Sequence, residues 1–137
     1  MQNEPIHVLL ADDDENDRLL FKEALEETKI KTVVKTVDDG IALMEYLGNP
    51  EVILPHVLFL DLNMPMMTGI QCLIEIKKIE FISQTPIIIY STSSDPRFHS
   101  EALMNGASAY ITKPHKLSEL VSILKTTFKR ELGEMPS

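Results

Sequence analysis

The chain is 137 residues long, 44% hydrophobic and 25% charged, and its formal net charge is −8. These values are typical of one globular domain with a sizeable core, and the negative charge argues against a general nucleic-acid-binding surface. The single cysteine, Cys72, cannot form an intramolecular disulfide, which fits a reducing compartment. Because we find no secretory-signal pattern and no apolar run near the ~20 residues of a membrane span, we expect a soluble cytoplasmic protein without membrane contact.

Five short apolar runs alternate with segments of helical periodicity along the chain. Three of the runs are almost continuously apolar, which is typical of parallel strands covered on both faces. The predicted strands are IHVLLA (6–11), TVVKTV (32–37), HVLFLD (56–61), PIIIYS (86–91) and SAYIT (108–112). The predicted helices cover about 14–28, 39–47, 69–79, 96–105 and 116–128, and the last seven residues, ELGEMPS, are expected to form a short frayed tail.

This alternation predicts an α/β fold, a doubly wound (βα)5 domain in which helices cover both faces of a five-stranded parallel sheet. Turn-forming residues agree with the predicted breaks, as at Gly48-Asn49-Pro50 and Asn105-Gly106. We find no internal repeat and no second domain, so residues 1–137 are expected to form a single domain with its core at about 6–130. Little chain follows the fifth helix, and we therefore expect no attached output domain.

Polar residues follow the apolar runs at the strand ends, where a parallel doubly wound sheet binds ligands. The first run is followed by Asp12 and Asp13, the third ends in Asp61, the fourth ends in Ser91-Thr92, and Lys113 follows the fifth. Clustered carboxylates repel one another unless a cation joins them, and Mg²⁺ prefers oxygen ligands. A lysine and hydroxyls beside them suit a phosphoryl group, and a carboxylate can receive it as a nucleophile. The pattern favours phosphoryl transfer to Asp61, which ends the central run.

Four stretches together resemble the response regulator receiver domain, of the small single-domain kind related to CheY. The stretches are VLLADDDENDR, FLDLNMPMMTG, PIIIYSTS and GASAYITKP, and the resemblance covers roughly residues 6–130. It implies a flavodoxin-like fold with strand order 2-1-3-4-5. It also implies Mg²⁺ as the cofactor and a phosphoryl group supplied by the phosphohistidine of a histidine kinase.

The resemblance further implies roles for individual residues around the phosphoryl group. Asp61 falls on the phosphoacceptor and Lys113 on the lysine that precedes a proline. Ser91 falls on the switch hydroxyl, with Thr92 beside it in a shared role. Tyr110 falls on the aromatic residue that changes its rotamer on activation.

The metal ligands implied by the resemblance are an acidic pair, the phosphoacceptor and one backbone carbonyl. The pair is Asp12 and Asp13, with Asp13 as the direct ligand, and the carbonyl is that of Asn63. Because the run contains a third acid, Asp14, the pair can also be read as Asp13 and Asp14. We prefer the first reading, since Asp14 is then free to cap the first helix.

The resemblance implies two kinds of protein partner, a kinase that supplies the phosphoryl group and a downstream target. The long segment GNPEVILPH (48–56) is similar to that of regulators paired with phytochrome-type and hybrid kinases. The face formed by helix 4, strand 5 and helix 5 is implied to change its partner preference on activation, and it is the face through which a homodimer would form, although the sequence does not decide the oligomeric state. The downstream target is unknown, and no direct contact with nucleic acid is implied. The domain would catalyse only its own phosphorylation and dephosphorylation, and is not a conventional enzyme.

Three other functions remain open at this point. A phosphohydrolase with an aspartyl nucleophile usually needs a general acid shortly after the nucleophile, and Asn63 stands two residues after Asp61. A flavodoxin-like cofactor binder needs a phosphate-binding loop after the first strand, where the acidic stretch ADDDEND repels phosphate. A receiver fold used only for docking would not need the complete set of polar strand ends.

Overall fold

The structure, a computed structural model, describes residues 4–133. Five parallel strands form one sheet in the order β2-β1-β3-β4-β5, which confirms the predicted α/β class and strand order. The strands are β1 (Ile6–Ala11), β2 (Thr32–Val37), β3 (Val57–Leu60), β4 (Ile87–Ser91) and β5 (Ala109–Thr112). The α-helices are α1 (Glu15–Glu27), α2 (Gly40–Gly48), α3 (Gly69–Lys77), α4 (Pro96–Met104) and α5 (Leu117–Leu132).

The helices bury both faces of the sheet. Helices α1 and α5 pack on one face, where Phe21, Phe59 and Phe128 share a buried cluster. Helices α2, α3 and α4 cover the other face, with Leu43 and Leu73 in its core. Because β3 and β4 lie between two helical layers, all their side chains are buried, whereas the edge strand β2 has no fully buried side chain. No helix between residues 4 and 133 is both long and apolar enough to cross a lipid bilayer.

Helices α1 to α4 each begin with a side-chain cap. Asp14, Asp39, Thr68 and Asp95 each accept a hydrogen bond from a backbone N–H in the first turn, which satisfies groups that helix ends leave without partners. The predicted role of Asp14 as the cap of the first helix is confirmed. These caps start the helices close to the strand ends, so short loops carry the polar residues at that edge.

Several element ends differ from the sequence predictions. Strand β3 ends at Leu60, so Asp61 is the first residue after it, and a short 3-10 helix at Glu80–Ile82 follows α3. Helix α5 continues to Leu132, because Leu132 packs against the buried cluster beneath α1 and α5. The expected frayed tail is therefore wrong for residues 131 and 132, and its residues 134–137 lie outside the described residues.

Candidate functional site

Three acidic side chains meet at the carboxyl ends of β1 and β3. One carboxylate oxygen from each of Asp12, Asp13 and Asp61 lies within 4.8 Å of the others. Asp12 and Asp61 are buried and Asp13 is exposed. The backbone fixes both buried acids, because the Asp12 N–H donates to the Val37 carbonyl at 3.0 Å and the Asp61 N–H donates to the Ala11 carbonyl at 2.9 Å. The sheet ladder thus extends one residue beyond each strand and holds the acids at one edge.

Lys113 brings a buried positive charge to this acidic cluster. Its backbone N–H donates to the Ser91 carbonyl at 2.7 Å, which fixes the residue at the end of β5. Its Nζ lies 2.8 Å from Asp12 Oδ2, 2.7 Å from Asp17 Oδ2 and 3.5 Å from Asp61 Oδ2. The ammonium also lies 5.3 Å from the centre of the Tyr90 ring, within the range of a cation–π contact. One lysine therefore faces three carboxylates and an aromatic ring.

The electrostatics of the site favour an added cation. Burial raises the pKa of Asp61 to about 7, the charges of Asp12 and Asp13 act in the same direction, and Lys113 opposes them. Burial acts against the charged form of Lys113, yet its close contacts with the carboxylates of Asp12 and Asp17 leave its pKa above the ordinary value. One ammonium among these acids therefore leaves Asp61 with a raised pKa. A second positive charge would lower this pKa and reduce the repulsion between the carboxylates.

The acidic cluster fits a hard divalent cation. Within residues 4–133, Asp12 Oδ2 is the buried side-chain oxygen without a directed hydrogen bond, and its contact with Lys113 is an ion pair. An incompletely satisfied buried carboxylate is costly, and carboxylate oxygens are the ligands that Mg²⁺ prefers. Asp12, Asp13 and Asp61 could therefore hold a metal ion between them.

The loop after β3 holds Asn63 beside the carboxylate of Asp61. The Asn63 N–H donates to Asp61 Oδ1 at 3.3 Å, and the Asn63 side chain is exposed. Met66 adopts a positive φ of 73°, an uncommon conformation for a residue other than glycine. The Gly69 N–H then donates to the Leu62 carbonyl at 2.9 Å, which closes the loop against the strand.

The predicted hydroxyl and aromatic residues lie around the loop between β4 and α4. Ser91 is buried, and its Oγ accepts a hydrogen bond from the Ser93 N–H at 3.2 Å, while Thr92 is exposed. Tyr110 is half-buried, and its hydroxyl donates to the Ser93 carbonyl at 2.7 Å. The Tyr110 ring also lies 5.1 Å from that of His99, measured between ring centres. These residues are at the same edge of the sheet as the acids, but their hydrogen bonds are with the loop.

Sequence reasoning missed three residues that contact the site. Asp17 pairs with Lys113, Arg18 Nη1 donates to the Asp12 carbonyl at 2.7 Å, and Tyr90 lies beneath the ammonium of Lys113. All three occur in stretches that sequence analysis singled out. The contacts of Asp17 and Tyr90 with Lys113 depend on the packing of α1 against α5 and on the pairing of β4 with β5, which no local pattern indicates.

Comparison with known proteins identifies the class that this fold and site define. The sequence profile of the response regulator receiver domain matches residues 8–125, which is most of the chain. The chain therefore belongs to the response regulator receiver domain family, whose members act in two-component signal transduction. Response regulators receive a phosphoryl group from sensor histidine kinases, and this phosphotransfer is typical of the family.

Individual relatives agree with the family assignment. The chain is 32% identical over 126 residues to the two-component response regulator ARR17 of Arabidopsis thaliana, a match that covers 85% of this chain and 81% of that protein. It resembles the structure of the phosphorylated cyanobacterial phytochrome response regulator RcpA, with a TM-score of 0.86, 30% identity and coverage of 98% and 100% of the two chains. The Mn²⁺-bound form of response regulator Rcp1 gives a TM-score of 0.82 and 25% identity, with coverage of 97% and 100%.

Proposed function

We propose that Asp61 accepts a phosphoryl group from the phosphohistidine of a sensor histidine kinase in a Mg²⁺-dependent reaction. The observation that carries this proposal is the position of the Asp61 carboxylate, buried within 4.8 Å of the Asp12 and Asp13 carboxylates and 3.5 Å from the ammonium of Lys113. The metal ligands would be these three acids and the backbone carbonyl of Asn63. The carboxylate is then the nucleophile, and positive charge lies on two sides of it.

The chemistry requires one bond to form and one to break. A carboxylate oxygen of Asp61 bonds to phosphorus while the bond between phosphorus and the donor's histidine nitrogen breaks. Bound Mg²⁺ supplies positive charge to the phosphoryl oxygens. Lys113 donates to another of these oxygens, and Ser91 and Thr92 provide hydroxyls at the same edge of the sheet. Water later hydrolyses the acyl phosphate, so the domain catalyses only its own phosphorylation and dephosphorylation and is not a turnover enzyme.

The proposed output is a change in protein–protein contacts on the face formed by α4, β5 and α5. Ser91 and Tyr110 are the proposed switch residues, and their hydrogen bonds to Ser93 connect the site to the loop before α4. The same helix exposes large apolar side chains, since Leu103 is 45% and Met104 is 86% exposed. Exposed apolar side chains favour protein contacts, and we propose that this face binds the downstream protein or a second copy of the chain.

The kinase partner is proposed to be of the phytochrome type or a hybrid kinase. The support for this is similarity to proteins described as a cyanobacterial phytochrome response regulator and a bacteriophytochrome response regulator. The free, buried thiol of Cys72 fits a reducing compartment, and we propose the cytoplasm as the place of action.

The experiment that tests the proposed reaction is intact mass spectrometry after incubation with acetyl phosphate and Mg²⁺. The wild-type protein should gain the mass of one phosphoryl group, and the gain should disappear in Asp61→Asn or after chelation of the metal. Asp38→Asn is the matched control, because Asp38 is an exposed acid at the end of the edge strand β2. A gain that persists in Asp61→Asn would overturn the proposal.

A further inference from the structure

Lys113 makes its shortest contact with an acid outside the proposed metal site. Its Nζ lies 2.7 Å from Asp17 Oδ2 and donates a hydrogen bond to it, whereas Asp61 Oδ2 lies 3.5 Å away. The side chain of Asp17 is 31% exposed and that of Lys113 is 8% exposed, so the pair is partly shielded from water. The proposed reaction gives Asp17 no role, although it shares the cation that the phosphoryl group would need.

The first turn of α1 explains why the Asp17 carboxylate is available to Lys113. Asp14 caps the helix, and its side chain accepts a hydrogen bond from the Asp17 N–H at 3.0 Å. In a capping box, the side chain at this third helical position would reach back to the backbone N–H of the cap. Here the Asp14 N–H donates instead to Asp12 Oδ1 at 3.0 Å. The Asp17 carboxylate is therefore not engaged by the cap and pairs with Lys113.

Asp17 and a phosphoryl anion would compete for the hydrogen-bond donors of the Lys113 ammonium. An ammonium has three N–H donors, and here it faces Asp12, Asp17 and Asp61. A phosphoryl group or its analogue on Asp61 adds an anion that needs the same ammonium. Each hydrogen bond that Lys113 keeps with Asp17 is then unavailable to that anion, and the charge of Asp17 also repels it.

We propose, on the basis of the proposed function above, that Asp17 is a positioning residue that holds Lys113 and thereby weakens the binding of a phosphoryl anion at Asp61. Neutralising Asp17 should release the ammonium toward the anion. Asp17→Asn should therefore bind a phosphoryl analogue more tightly than the wild-type protein and accept phosphoryl groups faster from acetyl phosphate.

The probe is beryllofluoride, which imitates a phosphoryl group on a carboxylate, titrated at saturating Mg²⁺ and followed by fluorine NMR. The half-saturating concentration should fall about threefold to tenfold in Asp17→Asn, which corresponds to as much as 1.4 kcal/mol of binding free energy. The matched control is Glu15→Gln, which neutralises an exposed acid in the same first turn of α1 that makes no ion pair with Lys113. That control should bind beryllofluoride as the wild-type protein does.

Two further measurements separate positioning from a merely structural effect. In a Lys113→Met background, Asp17→Asn should change beryllofluoride binding no more than Glu15→Gln does, because the shared cation is gone. The Mg²⁺ affinity of Asp17→Asn without beryllofluoride should be unchanged or weaker, since the released ammonium moves closer to the metal ligands. A distorted site would instead weaken both metal and anion binding.

The outcomes distinguish this inference from the proposed function. If the wild-type protein binds no beryllofluoride and takes no phosphoryl group, the proposed function itself fails. If the wild-type protein does both and Asp17→Asn binds the analogue no more tightly, only the role of Asp17 is overturned. Asp17→Ala is a second neutral variant, and it should also bind beryllofluoride more tightly than the wild-type protein. Thermal unfolding of both variants verifies that they are folded.

Discussion

The backbone of Gly69 lies directly against the carbonyl group of Asp61. A Cβ atom at position 69 would collide with the Asp61 carbonyl oxygen and would lie 2.8 Å from the Leu62 Cα. The start of α3 therefore packs against the residue that carries the buried carboxylate. The loop between them can close only because position 69 has no side chain.

Gly69→Ala should reduce the free energy of unfolding by about 2–3 kcal/mol, because either the loop or the end of β3 must move to admit the methyl group. Urea unfolding measures this change. Gly48→Ala is the control, since no atom lies within 4 Å of a Cβ built there. The control should be neutral or slightly stabilising, and an equal loss in both variants would contradict the packing argument.

Asp61→Asn should stabilise the protein more at about pH 8 than at about pH 5 in the absence of metal. Burial raises the pKa of Asp61 from 3.8 to about 7, so between these values the folded state binds the extra proton. The free energy of unfolding of the wild-type protein then falls as the pH rises through this window, by an amount on the order of 1–3 kcal/mol. The Asp61→Asn side chain does not ionise, so the variant does not lose this stability. Denaturant unfolding across the pH range, with Asp38→Asn as the exposed control, measures the difference; a gain that does not depend on pH would speak against it.

Mg²⁺ should raise the thermal midpoint of the wild-type protein, and more so at about pH 8 than at about pH 6. The metal requires deprotonated carboxylates, and the pKa of Asp61, about 7, lies between these conditions. Addition of EDTA should return the midpoint to its starting value. Asp13→Asn should abolish the shift at little cost in stability, because this side chain is exposed.

Asp14→Asn should keep the metal-dependent shift. This comparison decides between the two readings of the acidic pair, since Asp14 caps α1 and is not part of the cluster within 4.8 Å. Loss of the shift in Asp14→Asn with retention in Asp12→Asn would make Asp13 and Asp14 the pair.

Lys113→Met should destabilise the protein by about 2–4 kcal/mol at about pH 8, because it removes the cation that buried Asp12 and Asp61 face. The same variant should bind Mg²⁺ more tightly, since a competing positive charge has left the site. Calorimetric titration measures the affinity and urea unfolding measures the stability. Lys78→Met is the control, because Lys78 pairs with Glu75 on the surface, where ion pairs contribute little.

The parallel sheet and the gathering of the acids were predictable because apolar runs mark where parallel strands end, whereas the strand order came from the family resemblance. Asp12, Asp61 and Lys113 each stand just after such a run, and parallel strands end at one edge of the sheet. The cap at Asp14 was predictable for a local reason, since an acid just before a helical segment can satisfy its first N–H groups.

Other features depend on contacts between elements that are distant in sequence. The partner of Asp17 is set by the packing of α1 against α5, which follows the loop that carries Lys113, and the short side chain of Asp17 resembles that of any acid in a first helical turn. The hydrogen bond from the Tyr110 hydroxyl to the Ser93 carbonyl depends on the pairing of β4 with β5. Helix α5 extends to Leu132 because the face beneath it is apolar, and tail composition does not reveal that face.

The hydrogen bond between Asp17 and Lys113 joins residues that are 96 positions apart in the chain. During synthesis on the ribosome, Asp12, Asp13 and Asp61 all emerge well before Lys113 does. An incomplete chain can assemble the acids without the lysine that faces them, and their mutual repulsion then opposes closure of that edge of the sheet. Closure of that edge is therefore favoured only when the chain includes Lys113, and a chain that stops before β5 should hold the three acids less firmly together.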